Sequence, residues 1–124
     1  MINLYKYLKE TALLNELKDT MLPSLHNIQN LIENYYYSEE VNIDILNKMT
    51  ENFNVVITEL EKLGYKYEPD SSTDEDEEVF KTILLRYREE ISNFISHFSE
   101  EAFESFNTQT RYISNLVDIH KASI

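Results

Sequence analysis

The stretch that decides the fold is residues 46–63, LNKMTENFNVVITELEKL, in the middle of a 124-residue chain. Its apolar residues recur at alternating steps of three and four, the spacing of one face of an α-helix. Asn42 is placed to cap the first turn, Asp44 complements the helix dipole, and Gly64 stands where a left-handed C-cap is expected. The spacing therefore predicts a helix between Asn42 and Gly64, with an apolar face formed by Leu46, Met49, Phe53, Val56, Leu60 and Leu63.

The same periodicity continues on both sides, and little interrupts it, because the chain has one glycine, two prolines and no cysteine. It predicts a first helix over about residues 2–20 and a second from Pro23 to Tyr35. A fourth helix is predicted from about residue 76 to a break near 97–100, and a fifth from the N-cap Ser99 to about 121. One uninterrupted helix over about 76–121 is the alternative, and it would be roughly 70 Å long.

We therefore expect an all-α fold, a compact antiparallel bundle of four to five helices in a single domain over residues 1–124. The predicted third and fourth helices should lie antiparallel at its centre, joined by an acidic loop at about residues 65–76. The predicted core residues of that central pair are Phe53, Val56, Leu60, Leu84, Tyr87, Ile91 and Phe94.

Residues 68–78, EPDSSTDEDEE, carry seven carboxylates and no basic residue. Their alternating oxygen donors suggest a calcium loop, but Glu75 stands where an EF-hand needs glycine and Lys81 where it needs a bidentate glutamate. His97 has Glu90, Glu100 and Glu101 nearby in sequence, yet the Glu-x-x-His pairs of di-iron bundles are missing. We expect a solvated loop, no metal and no cofactor.

No pattern of a catalytic site is present. Thiolate chemistry needs cysteine, and nucleophile elbows and phosphate-binding loops need glycines that this chain lacks. We therefore predict no catalytic residues and no enzymatic activity. The N-terminus, MINLYKYLKETALL, has lysines where a signal peptide needs an unbroken apolar run, and no stretch is long and apolar enough to span a bilayer. The expected location is cytoplasmic.

The charge favours a protein partner with a basic surface. There are 23 Asp and Glu against 11 Lys and Arg, a net charge of −12. Nucleic acids and anionic membranes bind basic proteins, so neither is expected as a direct partner. No Lys or Arg occurs between Asp19 and Asn47 or between Glu89 and Thr110. If the second and fifth helices are neighbours, one side of the molecule is strongly negative.

Three consecutive tyrosines cannot all face one core, because neighbours on a helix point about 100° apart. We expect them to anchor a partner, since tyrosine is enriched at interface hot spots. The predicted partner-binding surface has these anchors and a charged surround, and comprises Tyr35, Tyr36, Tyr37, Glu39, Glu40, Asp44, Glu100, Glu101 and Glu104.

In size, acidity and helical content the chain is similar to immunity proteins, antitoxins and phage anti-defence proteins, some of which mimic DNA. The abundance of Asn and Ile with little Ala and Gly favours an AT-rich bacterial or phage genome. The likeness implies a non-enzymatic inhibitor that occludes a basic, nucleic-acid-handling surface of a larger protein. The alternative is a structural or adaptor bundle that self-associates through its heptad faces, which leaves homo-oligomer formation open.

Overall fold

The computed structural model describes residues 4–66 and 72–124, apart from the side chains of Tyr5, Lys6, Tyr7, Lys9, Glu10, Leu13 and Glu100. Four helices form an all-α bundle: α1 (Leu4–Tyr36), α2 (Ile43–Lys62), α3 (Glu77–Ser96) and α4 (Glu100–Ala122). The described residues contain no strand. The predicted all-α bundle of four to five helices is thereby confirmed, and it has four helices in the described residues.

The capping residues read from the sequence are confirmed. The Asn42 side chain accepts a hydrogen bond from the Ile45 backbone N–H at 3.2 Å and so caps α2. Gly64 has φ +92°, a backbone conformation that suits glycine, and it follows Leu63, the C-cap residue of α2. Ser99 caps α4 by accepting from the Ala102 N–H at 3.1 Å. The chain therefore breaks between Ser96 and Glu100, and the single helix over 76–121 is wrong.

The predicted boundary at Pro23 is also wrong, because α1 continues through this proline. An interior proline removes one backbone hydrogen bond and costs about 3 kcal/mol. Here the ring lies on the exposed face, while Met21 and Leu25 on either side of it are fully buried. Burying a large apolar side chain gives roughly 1.5–3 kcal/mol, so the two flanking residues offset the cost of the proline.

Each helix packs on two others. The backbone of α1 lies close to α2 and α3, and that of α4 lies close to α2 and α3. Within the described residues, α2 does not approach α3, nor α1 approach α4, to a Cα distance of 8 Å. The bundle is therefore a square in which α1 faces α4 across one diagonal and α2 faces α3 across the other.

The directions of the helices follow from side-chain contacts along their length. On α1 and α3, Gln29 reaches Ser92 and the later Tyr35 reaches the earlier Glu77, so these helices are antiparallel. On α2 and α4, Lys121 reaches Thr50 and Arg111 reaches Glu61, again an antiparallel pair. Every packed pair is antiparallel, whereas the diagonal pair α2 and α3 runs parallel. The expectation of an antiparallel α2–α3 pair is thus wrong.

The segment between α2 and α3, residues 63–76, is consequently a crossover connection rather than a tight return. It joins the end of α2 to the start of α3 at the opposite end of the bundle. A 20-residue helix is about 30 Å long, and 13 or so extended residues span about 40 Å, so the length suffices. We call this segment the crossover.

The core lies between the four helices and is aromatic near the start of α4. The rings of Phe94 and Phe106 stack with centroids 3.9 Å apart, and Phe103 meets Phe94 edge-on. All seven predicted core residues of the central helices are buried, which confirms that set.

The start of α1 is more exposed than the rest of the helix. Leu4 and Leu8 are 64% and 57% exposed, and Leu17 is the first buried residue among the described side chains. Leu14, which is partly buried, also packs against the core.

Candidate protein-interaction surface

The connection between α1 and α2 presents an ordered surface at one end of the bundle. The backbone N–H of Ser38 donates to the Tyr35 carbonyl, and its hydroxyl donates to the Glu40 carbonyl at 2.7 Å. Asn42 then caps α2, so both ends of this short loop are tied down. We call the surface formed by Tyr36, Tyr37, Glu39, Glu40, Val41, Ile43 and Asp44 the connector face.

Apolar side chains on the connector face are exposed well beyond what core packing needs. Tyr37 is 73% exposed, and Tyr36, Val41 and Ile43 are each about two-fifths exposed. The two tyrosine rings meet edge-on with centroids 5.1 Å apart, so each limits the freedom of the other. The loop itself encloses a shallow depression of about 390 Å³ whose lining includes Val41, Ile43 and Asp44. Several exposed apolar side chains in one short connection are a feature of interaction sites.

Carboxylates surround this patch. Glu39, Glu40 and Asp44 are all exposed. Glu78 is exposed as well, and it lies in the first turn of α3, a helix that starts at the same end of the molecule. Lys81 also reaches this loop, but its ammonium donates to the Ser38 carbonyl at 2.9 Å and lies 5.6 Å from the Tyr35 ring. Lys48 is exposed one turn after Asp44 on α2, so these four carboxylates stand against two lysines and acidic groups predominate at the connector face.

Tyr35 belongs to the core and not to the connector face. Its side chain is fully buried, and its hydroxyl donates to Glu77 Oε1 at 2.5 Å. Its ring packs edge-on against Phe80 with centroids 5.8 Å apart. Burial first, and then the hydrogen bond to Glu77 and the charge of that carboxylate, raise the pKa of Tyr35 well above its ordinary value. The prediction that Tyr35 anchors a partner therefore does not fit its position, whereas the exposure expected within the triplet is found at Tyr36 and Tyr37.

The predicted acids of α4 lie at the other end of the bundle. Glu101 and Glu104 are exposed in the first turns of α4, and the side chain of Glu100 lies outside the described part of the chain. The last turn of α4 is the part that reaches the connector end, through the contact between His120 and Glu77. At 1.5 Å per residue the two acidic groups are roughly 30 Å apart. Because α1 and α4 are diagonal, the condition for one continuous negative side is not met.

A second group of polar residues lies beside the connector end, around a buried histidine. His120 is buried, with Nδ1 3.0 Å from Asp74 Oδ1 and Nε2 2.6 Å from Glu77 Oε2. The Phe80 ring stacks on the imidazole with centroids 3.9 Å apart and planes 12° apart. A hydrogen bond from the Ser123 hydroxyl, and then one from His120, lower the pKa of Asp74. We call His120, Asp74, Glu77 and Tyr35 the histidine cluster.

Sequence reasoning missed this cluster, although a signal was present. His120 and Thr110 both occupy positions of the apolar stripe of α4. A polar residue on a buried stripe needs a buried partner, since unpaired polar groups in a core are costly. Thr110 finds that partner in the Tyr87 hydroxyl at 2.7 Å. The partners of His120 come from the crossover and from α3, and periodicity alone does not locate them.

An open groove runs along the outer side of α3 and α4. Depressions of about 430 Å³ and 240 Å³ share Glu90 and Gln109, so they form one continuous surface. Its lining includes Ile83, Arg86 and Tyr112 in one half and His97 in the other. His97 is exposed there, beyond the end of α3, and in residues 4–66 and 72–124 no group of three or more acidic or histidine side chains is arranged to hold a metal ion.

Comparisons with protein-family models, with curated proteins and with solved structures gave no match. Among the helices of the described residues, none has both the length and the apolar character required to cross a bilayer.

Proposed function

We propose that this protein is a small, acidic, non-enzymatic protein-binding inhibitor of the immunity, antitoxin or anti-defence type. It occludes a basic, nucleic-acid-handling surface of a larger protein, and the connector face makes the contact. The observation that carries this proposal is the exposed apolar patch of Tyr36, Tyr37, Val41 and Ile43 with carboxylates around it.

The apolar residues supply the lasting part of the contact. Interfaces are held by a few aromatic anchors in a desolvated centre, with polar residues at the rim. Tyr36 and Tyr37 already pack on each other, so binding has less side-chain freedom to remove. The loop that carries them is closed by hydrogen bonds from Ser38 and to Asn42. This preorganisation supports a defined contact rather than a nonspecific one.

The acidic side chains accelerate association with a basic partner and select against other partners. Glu39, Glu40 and Asp44 belong to the span from Asp19 to Asn47, which contains no Lys or Arg, and the whole chain has a net charge of −12. Charges at the rim of an interface mainly accelerate association and reject partners of like charge. A basic surface that otherwise binds nucleic acid is the complement of this arrangement.

The experiment is to capture a partner from the native host, identify it, and measure binding rates of matched variants over a salt series. Replacing Tyr36 and Tyr37 by Ala should raise the off-rate, while the same change at Tyr112, an exposed tyrosine on α4, should not. Reversing Glu39, Glu40 and Asp44 to Lys should lower the on-rate and its salt dependence. The control reverses Glu101 and Glu104, which lie at the opposite end.

If the Glu101 and Glu104 variant loses binding while the connector-face variants bind normally, the proposed interface is on the wrong end. The acids from Asp74 to Glu78 should contribute less than those of the connector face. They are best tested by substitution with Asn or Gln, because the crossover joins opposite ends of the bundle and its deletion would prevent the fold.

Self-association as an adaptor is the second candidate function. The heptad faces of α2 and α3 are buried in the core, so they are not available for this purpose. The observation in its favour is instead the exposure of Leu4 and Leu8 near the start of α1. Sedimentation over a range of protein concentrations tests it. A tight oligomer that Leu4→Ser with Leu8→Ser dissociates, together with no captured partner, would replace the inhibitor proposal.

A further inference from the structure

The crossover is attached to α4 at both of its described ends. At its start, Arg111 Nη2 donates to the Tyr65 carbonyl at 3.0 Å, and the Arg111 side chain is buried. At its other end, Asp74 meets His120 in the last turn of α4. Arg111 keeps its charge at any ordinary pH, whereas histidine loses its charge near neutrality. The second attachment is therefore the one that pH can change.

Both ring nitrogens of His120 face carboxylate oxygens. Nδ1 lies 3.0 Å from Asp74 and Nε2 lies 2.6 Å from Glu77. An ionised carboxylate only accepts hydrogen bonds, and a neutral imidazole has a single N–H. Both contacts are hydrogen bonds at the same time only when the ring carries two protons. The arrangement in the structure is thus that of an imidazolium between two carboxylates.

The polar and basic side chains of the neighbouring helices form their hydrogen bonds with other groups, so none of them replaces a proton on the His120 ring. From α1, the Tyr35 hydroxyl donates to Glu77. From α4, the ammonium of Lys121 donates to the Thr50 hydroxyl of α2 at 2.8 Å. From α3, the Lys81 ammonium is bound to the Ser38 carbonyl. The Ser123 hydroxyl bonds Asp74 but also donates to the Ile119 carbonyl, so one proton serves two acceptors.

We propose that His120 is a pH-sensitive latch, which fastens the end of the crossover to α4 when doubly protonated and releases Asp74 when it loses a proton. The release falls on Asp74 and not on Glu77 for two reasons. Glu77 is the first residue of α3 and keeps the hydrogen bond from Tyr35. Asp74 is exposed in a segment without helical structure. Once a ring lone pair faces its carboxylate, Asp74 keeps only the Ser123 hydroxyl, which it shares with the Ile119 carbonyl, and the backbone N–H of Glu75.

The test is nuclear magnetic resonance of the full-length protein between about pH 5 and pH 8, the range in which histidine changes charge. Correlations of the ring nitrogens report whether Nδ1 and Nε2 carry protons. The heteronuclear NOE of residues 72–76 reports the order of the crossover. We expect two ring protons on His120 at low pH, and a loss of order at 72–76 with the same midpoint as the ring titration. The amides next to the Asn42 cap should not change.

The chain offers matched controls, because it has three histidines and His26 and His97 are exposed. His26→Gln and His97→Gln should leave the transition at 72–76 in place, and His120→Gln should abolish its pH dependence.

Three results would overturn the latch. One is a single ring proton on His120 at low pH, another is unchanged order at 72–76 while the ring titrates, and the third is a transition that persists in His120→Gln. If His120→Gln does not fold, the first two measurements on the unaltered protein still decide the question. Asp74→Asn, a smaller change at an exposed position, should then give crossover order that is independent of pH.

Discussion

The hydroxyl of Tyr87 lies 2.7 Å from the hydroxyl of Thr110, inside the core where α3 packs on α4. Each hydroxyl satisfies the other, and a buried polar group that loses its partner costs about 1–3 kcal/mol. Thr110→Val should therefore destabilise the protein by about that amount, because it strands the tyrosine hydroxyl. The double variant Thr110→Val with Tyr87→Phe should recover most of the loss. Urea unfolding of both single variants and the double variant measures the coupling, and strictly additive effects would contradict it.

Phe53 is fully buried in the middle of α2, while Val55 two residues later is 43% exposed. Phe53→Ala removes a large side chain and leaves a cavity, so it should lower the free energy of unfolding by about 3 kcal/mol or more. Val55→Ala on the same helix should change it by about 0.5 kcal/mol or less. Thermal and urea unfolding measure both. Similar losses for the two variants would show that α2 does not use this face for the core.

Alkaline pH should destabilise the protein through two buried tyrosines. Burial raises the pKa of Tyr87, and burial together with Glu77 raises that of Tyr35. An unfolded tyrosine ionises near pH 10, so above that pH the unfolded chain holds fewer protons than the folded one. Stability from these groups is therefore complete below about pH 10 and is lost as pH rises further. Urea unfolding at increasing pH should show this loss of stability. The loss should be less steep in Tyr87→Phe, whereas Tyr37→Phe should lose stability as steeply as the unaltered protein. A flat profile in the unaltered protein would count against the burial of both rings.

Removal of divalent metal should have no effect on stability. The acidic crossover departs from an EF-hand at the two positions that discriminate it, Glu75 and Lys81. The melting temperature should be the same with and without a chelator, as measured by circular dichroism. A rise of several degrees on adding calcium or iron would instead identify the crossover acids or the surroundings of His97 as a metal site.

Local signals predicted the helices well, and their arrangement poorly. Asn42, Gly64 and Ser99 act within one turn of their own position, so their roles follow from neighbouring residues. Periodicity likewise showed which face of each helix is buried. Periodicity does not show which helix that face meets, and a connection of this length suits either a tight return or a crossover. The diagonal placement of α2 and α3 therefore could not be read from the chain.

Two errors have the same origin, since long-range packing outweighed a local preference. Pro23 disfavours a continuous helix, but burial of Met21 and Leu25 on either side holds α1 together. Tyr35 looked equivalent to Tyr36 and Tyr37, and its burial depends on Glu77 and Phe80, about 40 residues away in the sequence. The proposed connector face could be read from neighbouring residues. The acids of α4 were added on the condition that α1 and α4 are neighbours, and in the described part of the chain these helices lie on a diagonal.

The crossover also makes the protein separable into two halves. On one side of it, α1 and α2 form an antiparallel hairpin, and on the other side α3 and α4 form a second one. One covalent link joins these hairpins, so a cut between Lys66 and Ser72 would yield two fragments that hold each other only by noncovalent contacts. Their reassembly would be bimolecular, and its melting temperature would rise with concentration. In the intact chain the crossover holds the two hairpins at a high effective concentration, so they fold as one unit whatever the protein concentration.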